Sequence, residues 1–464
     1  MKNNDYKDLS HIMAPKSVAI IGASSNPDKV GHVILQNYID AGYSGKIYPV
    51  NIKNEGTILG LKAYASVLDI KKPIDVGVIA VPAMAVPQVM EECGKAGVKG
   101  LVVVSGGFLE VGNAQLQDQL VAIARKYSMP TIGPNCLGVM DPRSRIDTLF
   151  LPTYKIDRPK IGGVSFAAQS GAVGSAVLDM IGSEGFGIAR FLSYGNAADV
   201  DEVDILNYLG NDKDTKVIVY YIEGVKRGKE FIEVAKKVTK IKPVVISKGG
   251  VTAAGAGAAH SHTASLAGSS QAYEAVFRQF GFTIAKDLKD LINYAKIFDT
   301  QPLATGKKIA ILTNGGGIGV LATDALYNNG LELATLTKDS EDRLRKLMPE
   351  TVNIRMPMDL VGDADDKRYT DALSVVGDDP NVDAILAIVL FQTPGADSRL
   401  ASSLVSFAAK MKKPMVGLSV GGSYTHAHRQ MMENAGMPVY ESPDDAAGSL
   451  AALINYSRYR KGIA

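Results

Sequence analysis

Along most of the chain, short runs of β-branched and aliphatic residues alternate with longer stretches in which apolar side chains recur every third or fourth position. The runs "SVAIIGAS", "KIYPVN", "DVGVIAVP", "GLVVVSGG" and "TIGPN" have the near-continuous apolar character of strands buried on both faces. Between them, "KVGHVILQNYIDAG", "AVPQVMEECGKAG" and "NAQLQDQLVAIARKY" each carry one apolar stripe and predict covering helices. That rhythm predicts a doubly wound parallel sheet. The charged, Pro-punctuated stretch "DPRSRIDTLFLPTYKIDRPK" breaks the alternation, which resumes at "GGVSFAAQSGAVG" and runs through "GIARFLSYGN", "KVIVYYIEG" and "PVVISKGG" to about residue 298. A further boundary is expected at "FDTQPLATGK", before a third series made of "KIAILTNGGGIGVLATDALYNNG", "DAILAIVLF", "PMVGLSV" and "MPVYE". Three α/β domains are expected, over residues 1–142, 143–300 and 301–464.

Composition narrows the function classes. A 464-residue chain with 46% hydrophobic and 21% charged residues suits a soluble globular protein, and a net charge of +2 argues against nucleic-acid or membrane partners. Cys93 and Cys136 are too few and too far apart for a disulfide framework or structural zinc. The N-terminal "MKNNDYKDLSHIM" has no apolar signal core, and no apolar run is long enough to span a bilayer. A cytoplasmic protein is expected.

The candidate chemistry lies in the turns. Each predicted domain opens on a strand, a Gly-rich turn and a helix: "GASSNPDKVG", "AAQSGAVG" and "TNGGGIGV". Backbone N–H groups at a helix start attract anions, and missing side chains let a phosphate approach. Any single turn of this kind is equally well explained by turn geometry; three in one chain point to phosphate chemistry. In the first, a dinucleotide fingerprint would require G-x-G-x-x-G and an acid ending the second strand, but Gly22 is followed by Ala23, Ser24 and Ser25, and the strand ends in Asn51, Ile52 and Lys53. NAD is a poor fit. Lys53 suits a ligand with an additional phosphate, such as coenzyme A or NADP, or is a solvated surface lysine. Finally, "GVTAAGAGAAHSHTASLAGSSQAYEAVF" sets His260 and His262 behind Gly and Ala residues that lack core-forming side chains, so a mobile loop over 250–262 is expected.

Taken together, "SVAIIGASSNPDKVGHVILQNY", "YPVN", "VIAVPA", "VVVSGGF" and "IGPNCLGV" resemble the CoA-binding domain of the succinyl-CoA synthetase superfamily. "AAQSGAVG", "YIEG" and "SHTASLAG" resemble its ligase domain with the phosphohistidine loop, and "KIAILTNGGGIGVLATDAL" its flavodoxin-like third domain. The layout is similar to that of the α subunits of the NDP-forming acyl-CoA ligases, the ADP-forming acetyl-CoA synthetases among them. The resemblance implies a CoA-binding Rossmann-like domain followed by two flavodoxin-like domains. It also implies the reaction acyl-CoA + ADP + phosphate giving acid + ATP + CoA, through an acyl phosphate and a phosphohistidine.

Residue by residue, the resemblance places the phosphorylated histidine at His262, with His260 a neighbour. Glu223, at the tip of a predicted buried strand, is placed to hold the second imidazole nitrogen; without the resemblance it would pass for an exposed strand-end glutamate. Gln169, Ser170 and Gly171 at one helix start and Asn314, Gly315, Gly316 and Gly317 at another are candidates to cradle the phosphoryl group. Ser170 as a nucleophile is the weaker alternative, since "QSG" lacks the G-x-S-x-G elbow. CoA contacts are expected from Gly22, Ala23, Ser24, Ser25, Lys53, Val81, Pro82, Ser105, Gly106, Asn135 and Cys136, with Cys136 open to a second reading as a small core residue. No metal site is expected on this chain, because Asp359, Asp363, Asp365 and Asp366 fit a solvated acidic loop better. ADP or ATP with Mg²⁺ is expected on a separate ATP-grasp β subunit, in an α2β2 assembly, because no ATP-grasp segment is found. Two other classes stand beside this one: a non-catalytic CoA-binding regulatory or scaffold protein of the same fold, and an NADP-linked oxidoreductase.

Overall fold

The computed structural model describes residues 6–53, 56–252, 254–255 and 270–463. His260 and His262 lie outside the described residues. The chain divides into two compact units, one of residues 1–183 and 187–284, the other of residues 184–186 and 285–464.

The first unit holds two large sheets and a two-stranded one of Thr57–Ile58 and Leu61–Lys62. One is fully parallel, with strands in the spatial order Lys46–Val50, Ser17–Ile21, Val76–Ile79, Gly100–Val103 and Thr131–Ile132. Its first strand in sequence lies between the second and third, so the switch point of the winding falls beside the "GASS" turn, where doubly wound sheets bind ligands. Every residue of Ser17–Ile21 is buried, as expected of a strand covered on both faces. Helices Val30–Asp40, Val86–Lys95 and Ala114–Lys126 supply the cover the alternation predicted.

The other sheet runs Thr283–Ile284, Val244–Lys248, Val217–Ile222, Ile161–Ala168, Ile188–Ser193, Gly138–Asp141 and Ile146–Asp147. Its first five strands are parallel, and the last two form an antiparallel hairpin. This corrects the expectation that the Pro-punctuated stretch merely interrupts the pattern, because part of it closes the edge of this sheet. The hairpin escapes a periodicity argument because its strands are short and carry buried acids. Asp141 meets Arg190 at 2.9 Å and Asp147 meets Arg158 at 2.7 Å, so each buried carboxylate has a cation.

In the second unit, parallel strands follow the order Glu332–Leu333, Lys308–Thr313, Ala384–Ile388, Met415–Leu418 and Val439–Tyr440, with Met358–Asp359 also pairing to Lys308–Thr313. Helix Gly316–Asn328 follows strand Lys308–Thr313 after a turn of two residues, as the third Gly-rich turn predicts. The first Gly-rich turn differs from this pattern, since helix Val30–Asp40 begins only after an eight-residue loop, 22–29. That loop is built on local side-chain bonds: Ser24 Oγ accepts from the Asn26 N–H at 3.1 Å, and Asn26 Oδ1 from the Asp28 N–H at 2.9 Å.

Close approach explains two glycines here. Gly22 has φ +95°, and a Cβ on Gly31 would lie 2.0 Å from the Gly22 carbonyl oxygen, so the helix start can rest on the turn only if residue 31 has no side chain. Gly31→Ala is expected to destabilise the chain by about 1–3 kcal/mol in urea unfolding. The control Gly228→Ala, where a Cβ meets nothing within 4 Å, should cost far less; equal effects would refute the packing argument.

Candidate functional site

Parallel strands deliver their C-terminal ends to one edge of a sheet. In the seven-stranded sheet that edge carries Gln169 after Ile161–Ala168, residues 194–197 after Ile188–Ser193, Glu223 after Val217–Ile222, and Lys248 as the last residue of Val244–Lys248. Glu223 is only 6% exposed.

Its loop is held by side chains. Gln169 Oε1 accepts from the N–H of Glu223 at 2.7 Å and of Gly224 at 3.3 Å. The Tyr273 hydroxyl takes the Val225 N–H at 3.1 Å, and Glu202 Oε1 takes that of Lys226 at 2.6 Å. Four consecutive backbone donors are thus matched by three side chains from three elements, which fixes the loop without secondary structure. Glu202 is delivered by a capping box: Asp201 accepts from the Val203 and Asp204 N–H groups, and Asp204 returns a bond to the Asp201 N–H, starting helix Glu202–Asn211. Arg227 grips Asp201 with two 2.6 Å bonds.

Three polar atoms of this region are buried with no hydrogen-bond partner among the described residues: Glu223 Oε2, Glu202 Oε2 and the Tyr194 hydroxyl. Such atoms mark a place for a ligand, a water or a further side chain. Burial, reinforced by Asp201, pushes the Glu202 carboxyl from an ordinary 4.5 up to about 7. The Lys226 ammonium is pushed down by burial, against the opposing pull of Glu202 and Asp201, and its Nζ donates to the carbonyls of Asn196 at 2.9 Å and Ala197 at 2.7 Å. Burial also lowers Lys248, against the pull of Glu223, and its Nζ lies 5.2 Å over the Tyr273 ring.

Of the residues expected to cradle phosphate, Gln169 has its side-chain oxygen engaged by the Glu223 loop. Ser170 stands at the start of helix Gly171–Ser183, where its Oγ accepts from the Val173 N–H at 3.4 Å. In the second unit, Asn314 is buried and stitched to the neighbouring strand end: its Oδ1 accepts from the Leu390 N–H at 2.8 Å, and its Nδ2 donates to the Leu390 carbonyl and the Thr393 hydroxyl. Gly315 caps helix Gly316–Asn328, whose first residues Gly316 and Gly317 present backbone rather than side chains. A Cβ on Gly317 would meet nothing within 4 Å, whereas one on Gly316 would lie 2.7 Å from Asp359 Oδ2. In the acidic loop, Asp359 accepts from the Val361 N–H, Asp363 pairs with Arg368, and Asp365 caps helix Asp366–Asp378. Among the described residues no group of three or more His, Cys, Asp or Glu side chains is placed to hold a metal ion.

The five-stranded sheet brings most of the expected CoA contacts to one edge. The N–H groups of Gly22 and Ala23 bond to the Val50 carbonyl, and a Cβ on Gly22 would lie 3.1 Å from Val81 Cγ1. Ser24 is half-buried, while Ser25, Lys53 and Pro82 are exposed. Asn51 joins two parts of the edge, donating to the Ala23 carbonyl at 2.7 Å and accepting the Lys53 N–H at 2.8 Å. It occupies the strand end where a dinucleotide fold places its acid, and here it shapes the turn. Ser105 Oγ donates to the Val81 carbonyl at 2.5 Å, the Asn135 N–H reaches the Ser105 carbonyl at 2.9 Å, and a Cβ on Gly106 would sit 3.1 Å from Asn135 Oδ1. Cys136 turns the other way, as a core residue: its thiol donates to the Val103 carbonyl at 3.3 Å and burial pushes it up to about 12.

Sequence reasoning missed Glu202, Tyr273, Asn196 and Glu110. Glu202 looks like any first-turn helix acid and Tyr273 like part of an amphipathic stripe, so neither carries a local signal. Because the Glu202 carboxyl holds its proton more tightly folded than unfolded, it makes stability fall as pH rises from roughly 4.5 through 7. Glu202→Gln keeps the acceptor for Lys226 and is expected to remove on the order of 1 kcal/mol or more of the stability lost between about pH 5 and 8. Urea unfolding at the two pH values measures this, and an unchanged loss would refute it.

Three family models match the chain: a CoA binding domain over residues 16–142, a succinyl-CoA ligase like flavodoxin domain over 161–298 and a Ligase-CoA domain over 309–458. The α subunit of ADP-forming acetate–CoA ligase II of Pyrococcus furiosus is 38% identical over 456 residues, covering 97% of this chain and 98% of that one. The ADP-forming acetate–CoA ligase of Methanocaldococcus jannaschii is 41% identical over 461 residues; the match covers 98% of this chain, which spans 64% of that relative's length. Among solved structures, the dinucleotide-forming acetyl-coenzyme A synthetase 1 of Ca. Korarchaeum cryptofilum, in complex with phosphate and ADP, superposes with a TM-score of 0.92 at 36% identity, covering 98% of both chains. Among the described residues no helix is long and apolar enough to cross a membrane.

Proposed function

The chain belongs to the family of ADP-forming acetate–CoA ligases, and from that premise we propose that it is the α subunit of such an acid–thiol ligase, acting on acetyl-CoA or another small acyl-CoA. In this reading a phosphate oxygen attacks the thioester carbonyl, the C–S bond breaks, and CoA leaves with an acyl phosphate behind it. A His262 nitrogen then attacks phosphorus, the P–O bond to the acyl oxygen breaks, and the acid departs as carboxylate. ADP takes the phosphoryl group from the histidine to form ATP.

The observation that carries this reading is Glu223 Oε2, buried and without a partner among the described residues, on a loop fixed at all four of its N–H groups. A carboxylate so placed would accept the second imidazole N–H of His262, holding the tautomer and stabilising the cation formed on phosphorylation. Backbone N–H groups at the start of helix Gly171–Ser183 are the donors proposed for the phosphoryl oxygens beside Glu223, and those of Gly316 and Gly317 are a separate candidate anion site of the second unit. The CoA end is assigned to the edge holding Gly22, Ala23, Ser24, Ser25, Lys53, Val81, Pro82, Ser105, Gly106 and Asn135. The bared backbone at Gly22 and Gly106 fits a ligand that approaches closely there.

ADP or ATP with Mg²⁺ is assigned to an ATP-grasp β subunit in an α2β2 complex, in the cytoplasm, and the 250–262 segment to the excursion of His262 between the acyl phosphate and ADP. Mg²⁺ bound there would neutralise phosphate charge. The test is reconstitution with an ATP-grasp partner, followed by ATP formation from acetyl-CoA, ADP and phosphate. His262→Gln should abolish ATP formation, and Glu223→Gln should lower kcat by roughly 10²-fold with little change in KM. ATP formation that survives His262→Gln overturns the proposal.

A further inference from the structure

Between the edge assigned to CoA and the Glu223 loop lies the strand-end turn of residues 194–197. Its centre, Asn196, is bonded on every side. Nδ2 donates to Glu110 Oε2 at 2.6 Å and to Gln117 Oε1 at 3.0 Å, while Oδ1 accepts from Asn135 Nδ2 at 3.3 Å. The backbone N–H donates to the Pro134 carbonyl at 3.0 Å, and the carbonyl accepts from Lys226 Nζ at 2.9 Å. Glu110 carries the chain of bonds onward: its Oε1 accepts from the N–H groups of Gly107 at 2.5 Å and Phe108 at 3.1 Å. Burial pushes the Glu110 carboxyl up, but the bonds from Asn196, Gly107 and Phe108 outweigh it and keep the group ionised.

A continuous path therefore runs from the Ser105, Gly106 and Gly107 loop through Glu110 and Asn196 to Lys226, whose own N–H is held by Glu202. The backbone along it is set against its ordinary preference. Asn135 has φ +56° and Ala197 φ +49°, both in the left-handed region that non-glycine residues rarely occupy. Gly195 has φ +52°, and a Cβ there would lie 2.1 Å from the Asn135 carbonyl oxygen. Conformations of this kind persist where the surroundings over-determine them.

We propose that Asn196, with Glu110, is a positioning residue that sets the spacing between the acyl-CoA loops and the Glu223 loop. Both donors of the Asn196 amide are engaged within the protein and its oxygen already accepts a bond, so its part is to place other groups and not to touch substrate. The inference rests on the functional reading above and adds to it the element that aligns acyl phosphate, formed at one edge, with the histidine partnered at the other. Small misplacements of such groups cost rate more than binding.

The test uses the full chain in complex with its ATP-grasp partner. Asn196→Ala is expected to lower kcat for acetyl-CoA-driven ATP formation about tenfold or more, with KM for acetyl-CoA and ADP within about twofold of the parent. Phosphorylation of the chain by ATP without CoA uses the Glu223 side alone and is expected to stay within about twofold. Glu110→Gln keeps the side-chain size and carries the test if Asn196→Ala does not fold; it should lower kcat in the same selective way. Because both residues act through one path, the double variant should fall no more than about twofold below the worse single one. An unchanged kcat, a rise in KM in its place, equal loss of ATP-driven phosphorylation, or multiplying losses in the double variant overturns the inference. A parent complex that forms no ATP overturns the functional reading itself, and the inference with it.

Discussion

Where a parallel strand ends, its backbone donors lose their ladder partners and must be satisfied by something else, and the site on the seven-stranded sheet is a consequence of how that is done. Across residues 223–226 the partners are the Gln169 amide oxygen, the Tyr273 hydroxyl and the Glu202 carboxylate. Side chains from a neighbouring strand end, a following helix and a capped helix start converge on one short loop. Each bond is buried or nearly so, and a buried donor left without an acceptor is costly, so the loop has little freedom to rearrange. What it leaves over is one oxygen each of Glu223 and Glu202 and the Tyr194 hydroxyl, buried polar atoms with no hydrogen-bond partner among the described residues. The clamp is what gives the proposal for Glu223 its physical basis: a carboxylate on rigid backbone can orient an imidazole, and one on a loose loop cannot.

The same economy of backbone governs the five-stranded sheet. At the switch point the chain turns on Gly22, and Gly31 lets the following helix settle onto that turn. Asn51 then ties the turn to Lys53, donating to the Ala23 carbonyl and accepting the Lys53 N–H across the end of the second strand. A side chain that in a dinucleotide fold would face a ribose here organises its own loop, in keeping with a CoA binding domain and not with an NAD fingerprint. The two edges meet within one compact unit through Asn196, whose bonds to Glu110, Gln117, Asn135 and Lys226 join loops far apart in sequence. In the second unit, Asn314 stitches one strand end to the next by a comparable pairing with Leu390, leaving Gly316 and Gly317 as bare backbone at a helix start.

Much of this is legible in the sequence. The strands of the parallel sheets are apolar on both faces and stand out as runs, and the helices between them carry a single stripe, so element type and order followed from periodicity. Glu223 is legible as a strand-end acid, and only the resemblance to the family singles it out from an exposed surface glutamate. The hairpin of Gly138–Asp141 and Ile146–Asp147 was not, since its apolar content is broken by Asp141 and Asp147, which are tolerated only because Arg190 and Arg158 reach them from elsewhere in the chain. Gln169 is legible as a candidate anion contact at a helix start, and only the folded chain shows its oxygen taken by the N–H groups of Glu223 and Gly224. His262 belongs to the segment outside the described residues, and its role rests on the motif around it and on the family.

By itself the sequence determined the doubly wound α/β class and the three Gly-rich turns, because both depend on residue types at short, regular spacing, and its motifs carry the resemblance to the family. The tertiary structure alone decided which side chains hold the Glu223 loop, that Cys136 faces the core, and that Asn196 links the two edges. The physical reason is one of range. Periodicity and turn chemistry are written into neighbouring residues, whereas a hydrogen bond between positions 86 or 54 residues apart exists only once the sheets have folded and brought the strand ends together.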